Sequence, residues 1–261
     1  MKKVAVIGAG PSGITAIKNF IDEGFDVTAF ERCDGVGGNW RFNDPSGHSS
    51  VFETTHIISS KYTSFYEDYP LPDDASDYPS HKELLSYFDG YAEHFNIKKN
   101  IKFGTEVLSC NQLPNGRWLL TYKHLDGNEE ITLEFDALVV CNGHHHVPRY
   151  PQYKGEFSGD YMHSHDYKRA APFENKRVLV IGGGNSACDV AVETSRISQE
   201  TSLSWRRGYH LVPKFMYGLP ADVFAKRSRW IPQFLRIPFM KYMLEMYQCK
   251  NEDIRLPKFT N

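Results

Sequence analysis

Short apolar runs alternate along this chain with segments of helical periodicity. Val4–Ile7, Ala137–Cys141 and Val178–Ile181 are entirely apolar and short, which is typical of strands buried on both faces of a parallel sheet. Apolar positions then recur at helical spacing from about Pro11 to Glu23, and again from about His81 to Phe95. The pattern therefore predicts β-α-β units rather than an all-helical or all-strand protein.

One such unit is predicted at the start of the chain, at about Lys2–Glu31, and a second at about Arg177–Trp205. Three alternating segments with Asn-Gly and Asp-Gly turns predict a meander between them, at Ile101–Val107, Arg117–Lys123 and Glu130–Phe135. The apolar run at 137–141 is expected to return to the first sheet. The fold class predicted is α/β, with two Rossmann-like dinucleotide-binding domains, at 1–168 and 169–261.

Two stretches do not follow this alternation. From about Arg41 to Ser80 the sequence is polar and aromatic without a period, which predicts an irregular surface excursion. From about residue 209 the chain becomes aromatic and basic, and four prolines are expected to break a helical insertion into short helices: Pro213, Pro220, Pro232 and Pro238.

Composition narrows the class of protein. The chain has 261 residues and a formal net charge of −2 without a basic block, which argues against a nucleic-acid partner. Its five cysteines form no CxxC pair, and no apolar run reaches the roughly 20 residues that span a bilayer. A buried strand begins at once, so no targeting peptide is expected. We expect a cytoplasmic protein without stable membrane insertion; a homo-oligomer is compatible with the sequence.

The first β-α-β unit carries the spacing of a dinucleotide fingerprint. Gly8, Gly10 and Gly13 follow the strand and open the helix, so that the main chain can approach a pyrophosphate at the positive end of the helix. Glu31 ends the next strand roughly 20 residues later, where a carboxylate binds an unphosphorylated ribose. The pattern favours FAD or NAD over NADP.

The second unit repeats the pattern with the opposite charge at its tip. Gly182 and Gly184 follow the strand at 178–181, but the next strand ends in Arg206 and Arg207. A guanidinium can pair bidentately with a 2′-phosphate, which favours NADPH. The alternatives are that the arginines are only a solvated basic pair and that either glycine motif is an ordinary turn.

With these residues the chain resembles the flavin-containing monooxygenases, in particular their soluble bacterial members. The most specific element is Phe157–Lys168, which matches the family pattern FxGxxxHxxx(Y/F)(K/R) at every specified position. Baeyer–Villiger monooxygenases carry a similar pattern that ends in Trp, where this chain has Tyr167. The match continues through Gly37–Trp40, Cys141–His145 and Gly184–Asp189.

The resemblance assigns residues to two cofactors. FAD would be held by Gly8, Gly10, Pro11, Ser12, Gly13, Glu31, Arg32, Gly38, Asn39, Trp40 and Gly143, with His163 in a linker that orients the cofactors. NADPH would be held by Gly182, Gly184, Asn185, Ser186, Arg206 and Arg207. In the family, hydride passes from NADPH to flavin, reduced flavin captures O2 as a C4a-hydroperoxide, and a soft nitrogen or sulfur nucleophile of a small-molecule substrate takes the distal oxygen.

No metal is expected. His163 and His165 would need a third ligand, and the run His144–His146 follows an Asn-Gly turn, which favours a turn near the cofactor.

Two departures from the family qualify the resemblance. Many members have an asparagine near the flavin, and this chain has Ile58 at that position, so Ser59, Ser60, His56 or a water would have to serve as the catalytic hydrogen-bonding group. The family also continues well beyond residue 261. We therefore expect that the second domain and part of the first are incomplete, and that the chain is a truncated product impaired in holding FAD.

The sequence thus favours an NADPH- and FAD-dependent monooxygenase. One alternative is an NADPH-flavin reductase or oxidase that releases peroxide, and another is an inactive truncated nucleotide-binding fragment. The aromatic stretch Trp230–Met240 is interpreted as short amphipathic helices over the nicotinamide site, with a membrane-surface segment as the alternative.

Overall fold

A computed structural model describes residues 1–206 and 211–247 of the chain. These residues divide into two compact units. The first consists of Met1–His56 and Pro79–Lys168, and the second of Ile57–Tyr78 together with the described residues from Arg169 onward. The sequence-based boundary at residue 168 did not anticipate that Ile57–Tyr78 belongs with the second unit.

A four-stranded parallel sheet forms the centre of the first unit. The sheet and the helices of this unit are β1 (Lys3–Ile7), α1 (Pro11–Asp22), β2 (Asp26–Phe30), α2 (His81–His94), β3 (Ile101–Lys102) and β7 (Ala137–Val140). The strands lie in the order β3-β2-β1-β7. The parallel pairing of β1 with both β2 and β7 confirms the predicted β-α-β unit and the return of the 137–141 run to its sheet. The carboxyl ends of β1, β2 and β7 therefore meet beside the first turn of α1.

An antiparallel meander packs against this sheet. It consists of β4 (Thr105–Gln112), β5 (Trp118–His124) and β6 (Glu130–Phe135). Its Leu120, Tyr122 and Phe135 form one buried cluster with Ala5 and Phe30 of the parallel sheet. Because side chains alternate along a strand, Ala5 and Ile7 face this cluster, which leaves Val4 and Val6 for the opposite face.

The prediction that Ile101–Val107 forms one strand of the meander was wrong. Its first two residues pair with β2 in the parallel sheet, and the meander begins only at Thr105. Gly104 lies between them with φ +60°, a left-handed conformation that breaks the strand. Its N–H donates to the carbonyl of Cys33 at 3.0 Å, which ties the break to the loop after β2.

The stretch between residues 41 and 80 lacks regular helices and strands, as predicted. It ends at Ser80, whose hydroxyl accepts from the N–H of Glu83 while the Glu83 carboxylate accepts from the N–H of Ser80. This reciprocal cap explains why α2 begins at His81.

The second unit contains the predicted β-α-β element and a helical segment after it. Its elements are β8 (Arg177–Ile181), α3 (Asn185–Ser195), β9 (Glu200–Ser204), β10 (Phe215–Met216), β11 (Leu219–Pro220), α4 (Ala221–Arg227) and α5 (Gln233–Tyr247). Strands β8 and β9 pair in parallel. The α/β fold class and its second Rossmann-like unit are therefore confirmed, and the short hairpin of β10 and β11 was not predicted.

Pro238 does not break the helical segment, contrary to the prediction. It lies inside α5, which runs unbroken for 15 residues. A proline there removes one helical hydrogen bond, the one to the carbonyl of Phe234. Phe234 is 75% exposed, so water can reach that carbonyl.

Among the helices within residues 1–206 and 211–247, none is long and apolar enough to cross a bilayer.

Candidate functional site

A cavity of about 590 Å³ opens in the first unit where the parallel strands end. Its lining comes from the first glycine loop, the tips of β2 and β7, the turn after β2 and the start of the meander. Of the residues assigned to FAD from the sequence, it includes Gly8, Gly10, Pro11, Ser12, Glu31, Arg32, Gly38, Asn39, Trp40 and Gly143. The structure thus brings together ten residues that span 136 positions of sequence. Ligands of open α/β sheets bind at this edge.

Gly8 and Gly13 are required by the packing of the main chain. Gly8 has φ +97°, and a Cβ on it would lie 2.5 Å from the carbonyl oxygen of Cys141. A Cβ on Gly13 would lie 2.0 Å from the carbonyl oxygen of Gly8. Gly13 is buried and is not a lining residue, so its contribution is to let α1 approach β1 closely.

Gly10 and Gly38 form the floor of the cavity. Gly38 begins a single 3₁₀ turn, Gly38–Trp40, and a Cβ on it would lie 3.0 Å from the Cα of Gly10. Helix α1 begins beside this contact with Pro11, and no side chain caps its first turn. The amide groups and the positive end of the helix dipole are therefore left for an anion. This cradle, with glycine on both sides, fits a pyrophosphate.

Glu31 has a second role that the fingerprint spacing does not reveal. Its side chain is buried, and its two carboxylate oxygens accept from the N–H of Ala9 at 2.6 Å and the N–H of Cys33 at 2.8 Å. The carboxylate therefore holds the glycine loop against the tip of β2. Each oxygen can accept a further hydrogen bond, so a ribose hydroxyl can still bind.

Asn39 is held by two serines that sequence reasoning missed. The hydroxyl of Ser49 donates to the main-chain carbonyl of Asn39 at 2.6 Å. The N–H and hydroxyl of Ser50 both donate to the side-chain oxygen of Asn39, at 2.8 and 2.9 Å. Ser49 is almost fully buried. These bonds fix the middle of the turn that lines the cavity.

Two imidazole rings stack on the wall of the cavity. The ring centroids of His48 and His146 are 4.5 Å apart, and the planes differ by 13°. Burial, together with the neighbouring His146 ring, lowers the pKa of His48 below its usual range, while the carboxylates of Glu31 and Asp44 act in the opposite direction. The neutral form of His48 is thus the form that the folded protein favours.

This depressed pKa predicts a pH dependence of stability. In the unfolded chain His48 takes up a proton near its ordinary pKa of about 6.5, above the pKa of the folded state. The free energy of unfolding is therefore expected to be unaffected by His48 above that pH and to fall as the pH drops below it. In His48→Gln the fall between about pH 6.5 and 5 should be shallower, as measured by urea unfolding at several pH values. Identical pH profiles for both proteins would refute this prediction.

The second glycine motif forms a similar loop in the second unit. Gly182 has φ +138°, and its N–H donates to the carbonyl of Ser204 at 2.9 Å. Gly184 precedes α3 without a side-chain cap, and a Cβ on it would have no atom within 4 Å. Gly184, Asn185 and Ser186 are exposed. The start of α3 is thus open to a bound anion.

Arg206 follows β9 in the second unit and its side chain is exposed. In the first unit Glu31 directly follows the last paired residue of β2, whereas Arg206 is the second residue after β9, one position further on. Arg207, the other arginine assigned to the 2′-phosphate, lies outside the described residues.

Ser59, Ser60 and His163 are not lining residues of the cavity. The Ser59 hydroxyl is 2.6 Å from that of Ser64, and the N–H of Ser60 donates to Asp222 at 2.8 Å within the second unit. His163 accepts from the N–H of His165 at 3.1 Å, in its own segment of the first unit. The roles assigned to these three residues stay predictions.

No group of three or more potential metal ligands occurs in residues 1–206 and 211–247. The rings of His144 and His145 are 3.9 Å apart in the segment after β7, and His144 and His146 line the cavity.

A comparison with protein families matches residues 1–256 to the flavin-binding monooxygenase-like family. Among curated proteins, dimethylaniline monooxygenase (N-oxide-forming) 2 of Oryctolagus cuniculus is 38% identical over 257 residues. The alignment covers 94% of this chain and 48% of that protein. The chain therefore spans about half the length of this relative.

Two solved structures are similar to this chain in fold, and each is covered only in part. S-allyl-L-cysteine S-oxygenase from Allium sativum matches with a TM-score of 0.74 and 27% identity, over 84% of this chain and 55% of that one. Tmm from a Pelagibacter species matches with a TM-score of 0.71 and 29% identity, over 83% and 54%.

Proposed function

The chain belongs to the flavin-binding monooxygenase-like family, and from this premise we propose that it is the FAD- and NADPH-binding part of a monooxygenase. The observation that carries the proposal is the pair of glycine cradles, one ending in a buried carboxylate and the other in an exposed arginine. Opposite charges at the two tips select an unphosphorylated and a phosphorylated adenosine.

FAD is assigned to the cavity of the first unit. The pyrophosphate would lie at Gly10 and the first turn of α1, and the adenosine ribose at Glu31. Gly38, Asn39 and Trp40 would contact the flavin half. When bound, FAD supplies hydride acceptance and the activation of O2. The residues of the chain position it and exclude water.

NADPH is assigned to the loop before α3. The amides that follow Gly182 and Gly184 would bind its pyrophosphate, with Asn185 and Ser186 at the first turn of the helix. Arg206 and Arg207 would bind the 2′-phosphate. Both follow the second strand of the unit in the sequence, close to the position of the ribose-binding acid in an NAD fingerprint.

Replacing Arg206 tests the assignment of NADPH. Arg206→Ala is expected to weaken NADPH binding about tenfold or more, since it removes a charge-assisted pair, and to leave NADH binding nearly unchanged. Arg196→Ala, on the same unit at the end of α3, serves as the control. Binding is measured by the fluorescence of the reduced nicotinamide. Equal losses for the two coenzymes would argue against recognition of the 2′-phosphate.

The substrate class proposed is a small molecule with a soft nitrogen or sulfur nucleophile. The activities named for two similar proteins support this substrate class. One relative is an N-oxide-forming dimethylaniline monooxygenase, and one structural neighbour is an S-oxygenase. The test is consumption of NADPH and O2 with dimethylaniline, with the N-oxide quantified. Formation of the N-oxide in step with NADPH consumption is the result that the proposal requires.

One observation favours a second function, an NADPH oxidase that releases hydrogen peroxide. Ile58, at the position of the family asparagine, is 73% exposed and cannot donate a hydrogen bond. Ser59 and Ser60 are the proposed substitutes, and Ser60 is fully buried within the second unit, with its N–H bound to Asp222. Release of one hydrogen peroxide for each NADPH consumed, without formation of the N-oxide, would show that the protein acts as an oxidase.

A further inference from the structure

Lys168, the last residue of the Phe157–Lys168 segment, makes an unusual set of contacts for a lysine. Its ammonium group donates to three main-chain carbonyl oxygens, those of Ser49 at 2.6 Å, His165 at 3.0 Å and Val51 at 3.4 Å. Its own carbonyl accepts from the N–H of Glu53 at 2.9 Å. The end of one segment is thus bound along the whole of a second, residues 49–53.

The surroundings of this contact are largely buried. Tyr167 is 2% exposed and packs edge-on against Phe52, with the ring centroids 5.4 Å apart. Val51 and Ser49 are buried as well. Burial lowers the pKa of Lys168, and the nearby Asp166 acts in the opposite direction. The three carbonyl dipoles compensate for removing the ammonium group from water.

Segment 49–53 continues the connection to the cavity. The two serines that hold Asn39 are Ser49, which accepts from Lys168, and Ser50, its neighbour. Asn39 lies in the middle of the Gly38–Trp40 turn on the cavity floor. Two consecutive sets of hydrogen bonds, from Lys168 to Ser49 and from Ser49 and Ser50 to Asn39, therefore join Lys168, which is not a lining residue, to the lining of the cavity.

We propose that Lys168 is a positioning residue for the flavin. Through Ser49 and Ser50 it holds the Gly38–Trp40 turn in the conformation that binds FAD. Without the ammonium group, the carbonyls of Ser49 and Val51 lose this donor, and the buried segment 49–53 can relieve this only by turning towards water. Such a movement would displace the serines and release Asn39. The proposal rests on the assignment of FAD to this cavity.

The test follows Trp40 directly, without flavin. The chain has four tryptophans, so labelling with 5-fluorotryptophan gives four fluorine resonances, and Trp40→Phe identifies the one of interest. In Lys168→Met the Trp40 resonance is expected to shift or broaden. It should return towards the wild-type position in Lys168→Arg, which restores a cationic donor. Lys154→Met replaces an exposed lysine of the same unit and should leave the resonance unchanged.

The second readout is the affinity for FAD, measured by quenching of flavin fluorescence. Lys168→Met is expected to weaken binding about tenfold. Asn39→Ala should weaken it similarly, and the double variant should be no more than about twofold weaker than the poorer single variant, because both changes release the same turn. If the loss of FAD affinity in the double variant equals the product of the losses in the two single variants, the proposal is overturned. An unchanged Trp40 resonance in Lys168→Met would overturn it as well.

A milder variant keeps the proposal testable if Lys168→Met does not fold. Ser50→Ala removes one hydroxyl from Asn39 and should shift the same resonance. If Trp40 responds as expected but the wild-type chain does not bind FAD, the assignment of FAD fails while the connection from Lys168 stands. If FAD binds and Trp40 does not respond, the connection fails and the assignment stands.

Discussion

Gly13→Ala is expected to destabilise the first unit by about 3 kcal/mol and to abolish FAD binding. The added methyl group would lie 2.0 Å from the carbonyl oxygen of Gly8, so α1 would have to move away from β1. That movement would open the cradle at Gly10, since both glycines lie in the same turn. Urea unfolding measures the loss of stability, and flavin fluorescence measures the loss of binding.

Gly127→Ala is the matched control for this change. Gly127 is exposed, has no left-handed φ and has open space around its Cβ position. Its replacement is expected to change stability by less than about 0.5 kcal/mol. If Gly13→Ala were as harmless as this control, the close approach of helix and strand would not limit the residue at this position.

Glu31→Ala is expected to cost about 2 to 4 kcal/mol of stability and to weaken FAD binding by about two orders of magnitude. The change leaves the buried amides of Ala9 and Cys33 without an acceptor, and it removes the proposed partner of the ribose. Glu129→Ala, in the exposed connection just before β6, is the control and should behave as wild type. The two proteins are compared by thermal unfolding and by titration with FAD.

Glu31→Gln separates the two roles of the carboxylate. A carboxamide offers one acceptor oxygen and one donor group, so one of the two amides would face a donor. We therefore expect a loss of stability close to that of Glu31→Ala, although the volume is unchanged. A glutamine variant with wild-type stability would show that the two amide contacts contribute little.

Much of the architecture could be predicted because its signals are local. The fully apolar run at 4–7, the glycine spacing after it and the acid at residue 31 specify a β-α-β cradle without distant information. The turn signals of the meander likewise lie in adjacent residues. The fold class and the family resemblance followed from these motifs and are confirmed.

The remaining features depend on contacts between distant parts of the chain. The local sequence does not show that the strand beginning at Ile101 ends before Thr105. That end is set by the pairing of Ile101 and Lys102 with β2 and by the left-handed conformation of Gly104. The stacking of His48 on His146 joins positions 98 residues apart. Pro238 is tolerated within α5 because of its exposed surroundings, which a residue count does not reveal.

Two residues make contacts that go beyond what the sequence predicted for them. Glu31 was expected to meet a ribose, and its hydrogen bonds to Ala9 and Cys33 add an internal role. Lys168 was only a position in a pattern, and its three carbonyl partners give that position a physical function. Such roles depend on which donors and acceptors are buried together, and a linear pattern does not record this.

The most direct test of the two-cradle account is a titration with both nucleotides in succession. The protein is saturated with FAD and then titrated with NADP⁺ in a calorimeter, so that no electron transfer disturbs the equilibrium. If each cradle binds its own nucleotide, one equivalent of NADP⁺ binds without release of FAD, and Gly10→Val removes only the FAD step. Displacement of FAD by NADP⁺, with one nucleotide bound in total, would contradict it.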